Sequence, residues 1–101
     1  MHQSIKQWSA GDQPREKLIL MGSKSLSEAE LLAILMRIGT RNKSALDVAK
    51  ELLTQNDNSI AALAKLSVHE LMKIKGIGEA KAVSIAAALE LGRRRVTENA
   101  I

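Results

Sequence analysis

The sequence predicts an all-α protein, built as a small bundle of about five helices. Its apolar residues are mainly Leu, Ile, Ala, Val and Met, with one proline and a single aromatic residue, Trp8. Strands are usually richer in aromatic and β-branched residues. A length of 101 residues suits one hydrophobic core. We therefore expect one compact domain over residues 12–95, preceded by a flexible arm at 1–11 and followed by a frayed tail at 96–101.

Capping residues predict where the first two helices begin and end. Asp12-Gln13-Pro14 supplies an N-cap and a proline for the first helical turn, and Gly22 ends that helix. Ser27-Glu28-Ala29-Glu30 has the spacing of a capping box, in which a serine and a glutamate satisfy each other's backbone amides. Gly39 stands where a left-handed C-terminal cap of the second helix is expected.

Capping residues also predict where the remaining helices begin. Ser44 precedes an apolar stripe with helical spacing, and Ser59 caps a short segment. A second capping box starts at Ser67, and its helix is expected to carry Leu71 and Ile74 into the next glycine. The last helix is predicted to run from residue 79 to about 95, apolar on nearly every side, and hence to lie buried at the centre of the bundle.

The residue types that usually carry catalysis or bind metals argue against a catalytic role. The chain has no cysteine and two histidines, His2 and His69, of which the second is expected to be exposed. Asp47 and Glu51 stand one turn apart, as in a solvated helix face. A hydrolytic metal site needs several converging ligands, so we expect no enzyme activity, no metal and no cofactor. No signal peptide and no apolar stretch of about 20 residues is present, which favours a cytoplasmic location.

Positive charge is concentrated in the last third of the chain. The net charge is +4 and the isoelectric point about 9.7. Between residues 65 and 95, seven cations stand against three anions. The cations are Lys65, Lys73, Lys75, Lys81, Arg93, Arg94 and Arg95. A localised basic surface is typical of proteins that bind polyanions, although the three arginines would equally oppose the negative pole of the last helix.

Two glycines interrupt helix-forming sequence in KIKGIGEAKA, residues 73–82. Because a glycine inside a helix costs about 1 kcal/mol relative to alanine, the pair marks a deliberate turn. Gly76 is expected to adopt a positive φ, and Ile77 to point into the core. Without side chains at Gly76 and Gly78, the first amides of the next helix are open to an anion such as a phosphate oxygen.

The surrounding apolar spacing gives the turn a recognisable pattern. Its matched positions are Leu71, Ile74, Gly76, Ile77, Gly78, Ala82 and Ile85. This pattern resembles the helix-hairpin-helix family of sequence-independent DNA-binding motifs. The resemblance implies that amides of Gly76, Ile77 and Gly78 hold a DNA phosphate, assisted by the lysines Lys73, Lys75 and Lys81.

Glu79 leaves an alternative open at the same turn. Its carboxylate stands at the start of the last helix, where negative charge is favoured by the helix dipole. Were it seated on the open amides, the turn would be a self-capped structural hairpin or a protein-contact module.

A weaker copy of the pattern lies 37 residues upstream. The shift superposes Ile34, Gly39, Ala45 and Val48 on the later motif, while Arg37, Thr40 and Arg41 do not match it. We therefore predict a double helix-hairpin-helix, similar to domain 2 of RuvA, with a degenerate first hairpin. Secondary DNA contacts are expected from the cations Arg37, Arg41, Lys43, Arg93, Arg94 and Arg95, with a solvated loop as the alternative for the first three.

A closer resemblance rests on segments spread over nearly the whole chain. They are Ser4-Ile5-Lys6-x-Trp8, Pro14-Arg15-Glu16-Lys17-Leu18, Leu26-Ser27-x-Ala29-Glu30-Leu31-Leu32-Ala33-Ile34-Leu35, Gly39-Thr40, Lys43-Ser44-Ala45 and Ile74-Lys75-Gly76-Ile77-Gly78. These segments resemble the N-terminal domain of the bacterial RadC family (UPF0758), whose members are described as DNA repair proteins. In that family a JAB-type metal-binding domain follows, and its His-x-His-Pro-x-Gly signature is absent from this sequence.

The resemblance implies a non-catalytic module that binds duplex or junction DNA through its backbone. The alternative is a protein-interaction or dimerisation module that supports the JAB-type domain. In that case Lys75 and Lys81 could be replaced by glutamate without consequence, whereas apolar surface residues could not.

Overall fold

The computed structural model describes residues 13–99, and this part of the chain is entirely helical, as predicted. It contains six α-helices, a short 3₁₀ helix (Ser23–Ser25) and no strand. The α-helices are α1 (Gln13–Met21), α2 (Glu28–Met36), α3 (Ala45–Thr54), α4 (Ile60–Ala64), α5 (Val68–Met72) and α6 (Glu79–Asn99). The predictions for Asp12, the 1–11 arm and His2 lie outside the described residues.

The chain divides into two compact units, with the boundary between Glu51 and Leu52 inside α3. In the first unit α1 packs against α2 and the 3₁₀ helix. An ion pair joins the first two helices, with Lys17 Nζ 3.1 Å from Glu30 Oε1. Apolar residues of α2 and of the first half of α3 form the buried core: Ala29, Leu32, Ala33, Met36, Ala45, Val48 and Ala49.

Both predicted capping boxes are present. The Glu30 amide donates to Ser27 Oγ at 3.1 Å, and the Ser27 amide donates to Glu30 Oε1 at 2.8 Å. This amide, together with Lys17, holds the pKa of Glu30 below its ordinary value. Ser67 and Glu70 repeat the arrangement at the start of α5. The predicted caps Ser44 and Ser59 are likewise confirmed, since their hydroxyls accept amide hydrogen bonds at 3.1 Å.

The predicted role of Gly39 as a left-handed cap is wrong. Arg37 is the C-cap of α2, with φ 70°, and the Ile38 amide donates to Met36 O at 2.8 Å, which closes a three-residue γ-turn. Gly39 is needed for a different reason. A Cβ at this position would collide with the backbone of Lys43 and the two residues after it. Gly39 therefore permits two segments of the α2–α3 connection to approach each other closely.

In the second unit α6 packs against both α4 and α5. The core combines the second half of α3 with one side of the later helices. Its buried residues are Leu52, Leu53, Leu63, Leu71, Ile77, Ala82 and Ile85. Five of these side chains come from the α4–α6 region, so the connection between α5 and α6 lies directly on the core of this unit.

The expected burial and end of the last helix both need correction. α6 continues to Asn99 rather than ending near Arg95, so residues 96–99 are helical. Ala82 and Ile85 are buried, whereas every residue from 91 to 99 is exposed. The reason is one of length: α4 and α5 have five residues each and cannot cover a helix of 21.

Adding one methyl group should have opposite effects at two glycines. Gly39→Ala should lower the free energy of unfolding by about 1–3 kcal/mol, because the new Cβ meets backbone atoms that cannot move aside. Gly92→Ala should raise it by about 0.5–1 kcal/mol, since Gly92 lies inside α6 and a Cβ there meets nothing within 4 Å. Urea denaturation measures both. A neutral Gly39→Ala would contradict the packing explanation.

Candidate functional site

The connection between α5 and α6 is a tight turn closed by backbone hydrogen bonds. α5 ends at Met72, so Ile74 lies in the turn and not in the helix as predicted. The Ile74 amide donates to Leu71 O at 3.1 Å, and the Ile77 amide donates to Ile74 O at 3.0 Å. Successive bonds of this short span tighten the end of α5 and reverse the chain toward α6.

Gly76 provides the backbone conformation that the reversal needs. Its φ is 93°, a region that residues with a Cβ rarely occupy. The next residue, Ile77, has only 3% of its surface exposed. The predictions of a positive φ at Gly76 and an inward Ile77 are both confirmed. Together they fix the turn against the core.

Gly78 has a different structural role from Gly76. Its carbonyl accepts the Ala82 amide at 3.0 Å, which makes Gly78 the N-cap of α6. Its backbone φ is not in the left-handed region, and a Cβ there would meet nothing within 4 Å. An N-cap glycine offers no side-chain oxygen to the first helical amides. Among the described residues, nothing therefore fills the space beside this N-cap.

The charged residues beside the turn differ in their contacts with it. Lys81 Nζ donates to Gly76 O at 3.2 Å, which holds its ammonium group beside the turn. Lys73 and Lys75 are exposed. The Glu79 carboxylate is exposed as well and accepts no hydrogen bond from residues 13–99. In the described part of the chain, no acidic side chain is seated on the first amides of α6.

The apolar residues of the predicted motif lie on either side of the turn in sequence and are largely buried. Leu71, Ala82 and Ile85 have none of their surface exposed, and Ile74 is half-buried. α6 packs on α5, and the fully buried Ala82 in the first turn of α6 is a small residue. The motif thus forms two packed helices with an open, basic corner between them.

The arginines of α6 are not at the end of the helix. They lie before its last turn, so the predicted compensation of the helix dipole is wrong for this structure. Arg93 forms two hydrogen bonds to Glu90, Nε–Oε1 at 2.9 Å and Nη2–Oε2 at 2.8 Å. Arg94 Nε adds a third at 2.8 Å to Oε2. These hydrogen bonds lower the pKa of Glu90 to about 2.

Arg93, Arg94 and Arg95 together form an exposed cluster. Its first member, Arg93, lies about 21 Å from Glu79 along the helix axis. A phosphate bound at the Gly78 end of α6 therefore cannot also touch these arginines.

The cations expected in the degenerate first hairpin all lie in the first unit. Arg37, Arg41 and Lys43 are exposed in the connection between α2 and α3. Lys43 Nζ is 2.5 Å from Glu51 Oε1, so this lysine has a partner on α3. Ala45 and Val48, which correspond to Ala82 and Ile85, are buried as the repeat predicts.

The described residues offer few other sites. His69 is exposed, and residues 13–99 contain no group of three or more side chains suited to holding a metal ion. None of the helices in this range has the length and apolar composition required to cross a membrane.

Two features of the connections between helices were not predicted from the sequence. The Lys81–Gly76 hydrogen bond and the γ-turn at Arg37 depend on backbone geometry. Neither residue type nor spacing signals them.

The turn between α5 and α6, with its neighbouring lysines and the open side of Gly78, is thus the most distinctive local feature of the second unit. By sequence, the chain belongs to the UPF0758 family: the model of the UPF0758 N-terminal domain matches residues 5–83. A UPF0758 protein of Flavobacterium johnsoniae is 55% identical over 98 residues, which are 97% of this chain and 42% of that protein. A second, from Dechloromonas aromatica, is 45% identical over 95 residues, again 42% of its length.

The chain therefore spans about two-fifths of the length of the curated relatives it matches. No solved structure matches it.

The two glycines of the turn should respond differently to substitution. Gly76→Ala should lower the free energy of unfolding by about 1–3 kcal/mol, because alanine is strained at a φ of 93°. Gly78→Asp should raise it by about 0.5–1 kcal/mol, since the new carboxylate caps the open amides of α6. Chemical denaturation of both variants tests the assignment. Destabilisation by Gly78→Asp would mean that the corner is not open.

The Glu90 cluster should be visible in a pH titration. Carbon NMR of the glutamate carboxyls should give Glu90 a pKa of about 2, against an ordinary value of 4.5. Since the folded-state pKa is depressed, the pairing stabilises the fold above pH 4.5 and its contribution is lost as the pH falls toward 2. In an Arg93→Gln, Arg94→Gln double variant the pKa should return toward 4.5. An unchanged pKa in that variant would refute the assigned cause.

Proposed function

We propose that this chain is a non-catalytic DNA-binding module of a RadC-like DNA repair protein. It grips backbone phosphate at the turn between α5 and α6 and reads no bases. The observation that carries the proposal is the open N-terminus of α6, where Gly78 leaves the first amides uncovered beside the ammonium group of Lys81. Helix N-termini bind phosphate through these amides and the positive pole of the helix.

The different structural roles of Gly76 and Gly78 favour phosphate binding over a turn that binds no ligand. Gly76 alone satisfies the backbone requirement of the reversal. Gly78 has no such requirement, and a capping side chain there would stabilise α6. The missing side chain is useful if a ligand must approach the amides. The Glu79 carboxylate, which would compete for the same amides, is exposed and accepts no hydrogen bond from residues 13–99.

The proposed contacts form two sets. The primary set binds one phosphate through the amides around Gly76 and Gly78, with charge from Lys75, Lys81 and Lys73. The Ile77 amide, which the motif also assigned to the phosphate, already donates to Ile74 O. Arg95 lies far enough along α6 to meet a different phosphate, while Arg93 and Arg94 must exchange their bonds to Glu90 for any such contact. Duplex or junction DNA suits this spacing.

Single strands are a poorer match for the described residues. Residues 13–99 contain no aromatic side chain on which a base could stack, and stacking supplies much of the affinity of single-strand binders. We further propose that the module is cytoplasmic and needs no metal or cofactor of its own. The whole protein's activity would belong to the region that the relatives carry beyond this domain.

Binding to a short labelled duplex, followed by fluorescence anisotropy, tests the proposal. Affinity should fall by about 10- to 100-fold between about 50 and 200 mM salt, as expected for about two to four phosphate contacts. It should not depend on the base sequence. Gly78→Asp should lower affinity by at least about tenfold, because its carboxylate takes the amides that the phosphate requires.

Ala61→Asp is the matched control, since it adds the same carboxylate to the exposed first turn of α4. It should reduce affinity far less than Gly78→Asp. The Gly78→Asp variant is also expected to be the more stable protein, so lost binding cannot be ascribed to unfolding. Absence of duplex binding at low salt, or indifference to both Gly78→Asp and Lys75→Glu, would refute DNA binding and favour the protein-interaction module.

A further inference from the structure

An apolar groove lies between α4 and the second half of α6, away from the phosphate-binding turn. We call it the α4–α6 groove; its volume is about 660 Å³. Its lining is mainly apolar and includes Ile60, Ala61, Ala64, Ala88, Leu89 and Val96. Lys65 and Arg93 also line it. A groove of this composition, open to water, is suited to receive apolar side chains of another segment.

Gly92 lines the groove and is not explained by the packing of this domain. It lies in the interior of α6, where glycine is less favourable than alanine, and a Cβ there would meet nothing within 4 Å. The described fold therefore has ample room for a side chain at this position. A glycine is required there only if another backbone approaches α6 closely.

The exposed half of α6 also lacks the packing that usually stabilises a helix. Leu91 and Val96 have 69% and 70% of their surfaces exposed. Short helical segments are marginal in water, and most helices in proteins are stabilised by packing of an apolar face. Residues 91–99 are helical without such packing in the described part of the chain.

The length of the relatives supplies a candidate occupant for this surface. The family's N-terminal domain model ends at residue 83, whereas similarity to the Flavobacterium johnsoniae relative covers 97% of the chain. The second half of α6 thus lies within a region shared with relatives that are more than twice as long as this chain. A segment tethered to α6 has a high effective concentration at a groove lined by α6 itself.

We propose that the α4–α6 groove binds the part of the full-length family protein that follows this domain, with a backbone of that part packed against Gly92. The groove thereby fixes the DNA-binding unit to the rest of the protein. Gly92 stands about 21 Å from Gly78 along the helix, so this surface and the phosphate site are separate.

Hydrogen–deuterium exchange in two proteins tests the docking. One is the 101-residue chain, and the other is the same chain joined to the part of the Flavobacterium johnsoniae protein outside the aligned region. Amides of residues 91–99 should exchange at least about tenfold more slowly in the joined protein. Gly92→Gln should return them to the rate of the 101-residue chain, because its side chain fills the groove. Ala87→Gln, a similar addition at an exposed α6 position outside the groove lining, should preserve the slow exchange.

Slow exchange of the core amides of Leu71 and Ile85 verifies that each variant is folded. Equal exchange of residues 91–99 in the two proteins would overturn the proposal, as would protection that survives Gly92→Gln. Protection of the 101-residue chain that grows with its concentration would overturn it too, because the occupant would then be a second copy. Gly92→Gln should leave duplex binding intact, so the docking and the DNA-binding proposals can fail independently.

Discussion

The left-handed backbone at Gly76 is the constraint on which the candidate site depends. It reverses the chain immediately after α5, and the burial of Ile77 one residue later fixes the direction in which the chain leaves the turn. Gly78 then becomes the N-cap of α6 with open space beside it. If Ile77 were exposed, the turn could rotate and the α6 amides would have no fixed position. An apolar contact therefore orients a polar site.

Sequence predicted this part of the fold well because its signals are local. A capping box needs only a serine and a glutamate three residues apart, and both examples, at Ser27 and Ser67, form as expected. The positive φ at Gly76 and the burial of Ile77 follow from the same short-range pattern. Each inference required only the conformational preferences of adjacent residues and the need to satisfy backbone amides.

The errors arose where the outcome depends on distant neighbours. Gly39 resembles a helix cap in sequence, but its role is set by the backbone of Lys43 four residues later, while Arg37 takes the positive φ. The apolar residues of α6 predicted a fully buried helix, because composition does not show how short α4 and α5 are. The arginines were assigned to a helix end that lies further along the chain.

α6 connects the two proposed surfaces, and its sequence differs between them for a physical reason. Near Gly78 the helix is buried on one side by Ala82 and Ile85, so its N-terminus is held rigidly and its dipole has a fixed direction. Beyond Leu89 this support ends, and the helix carries a glycine and exposed apolar residues in place of a core-facing stripe. A helix of 21 residues spans about 31 Å, and docking at the groove would stabilise its second half. It can therefore set the distance between a bound phosphate and a docked domain, which neither surface could do through a flexible linker.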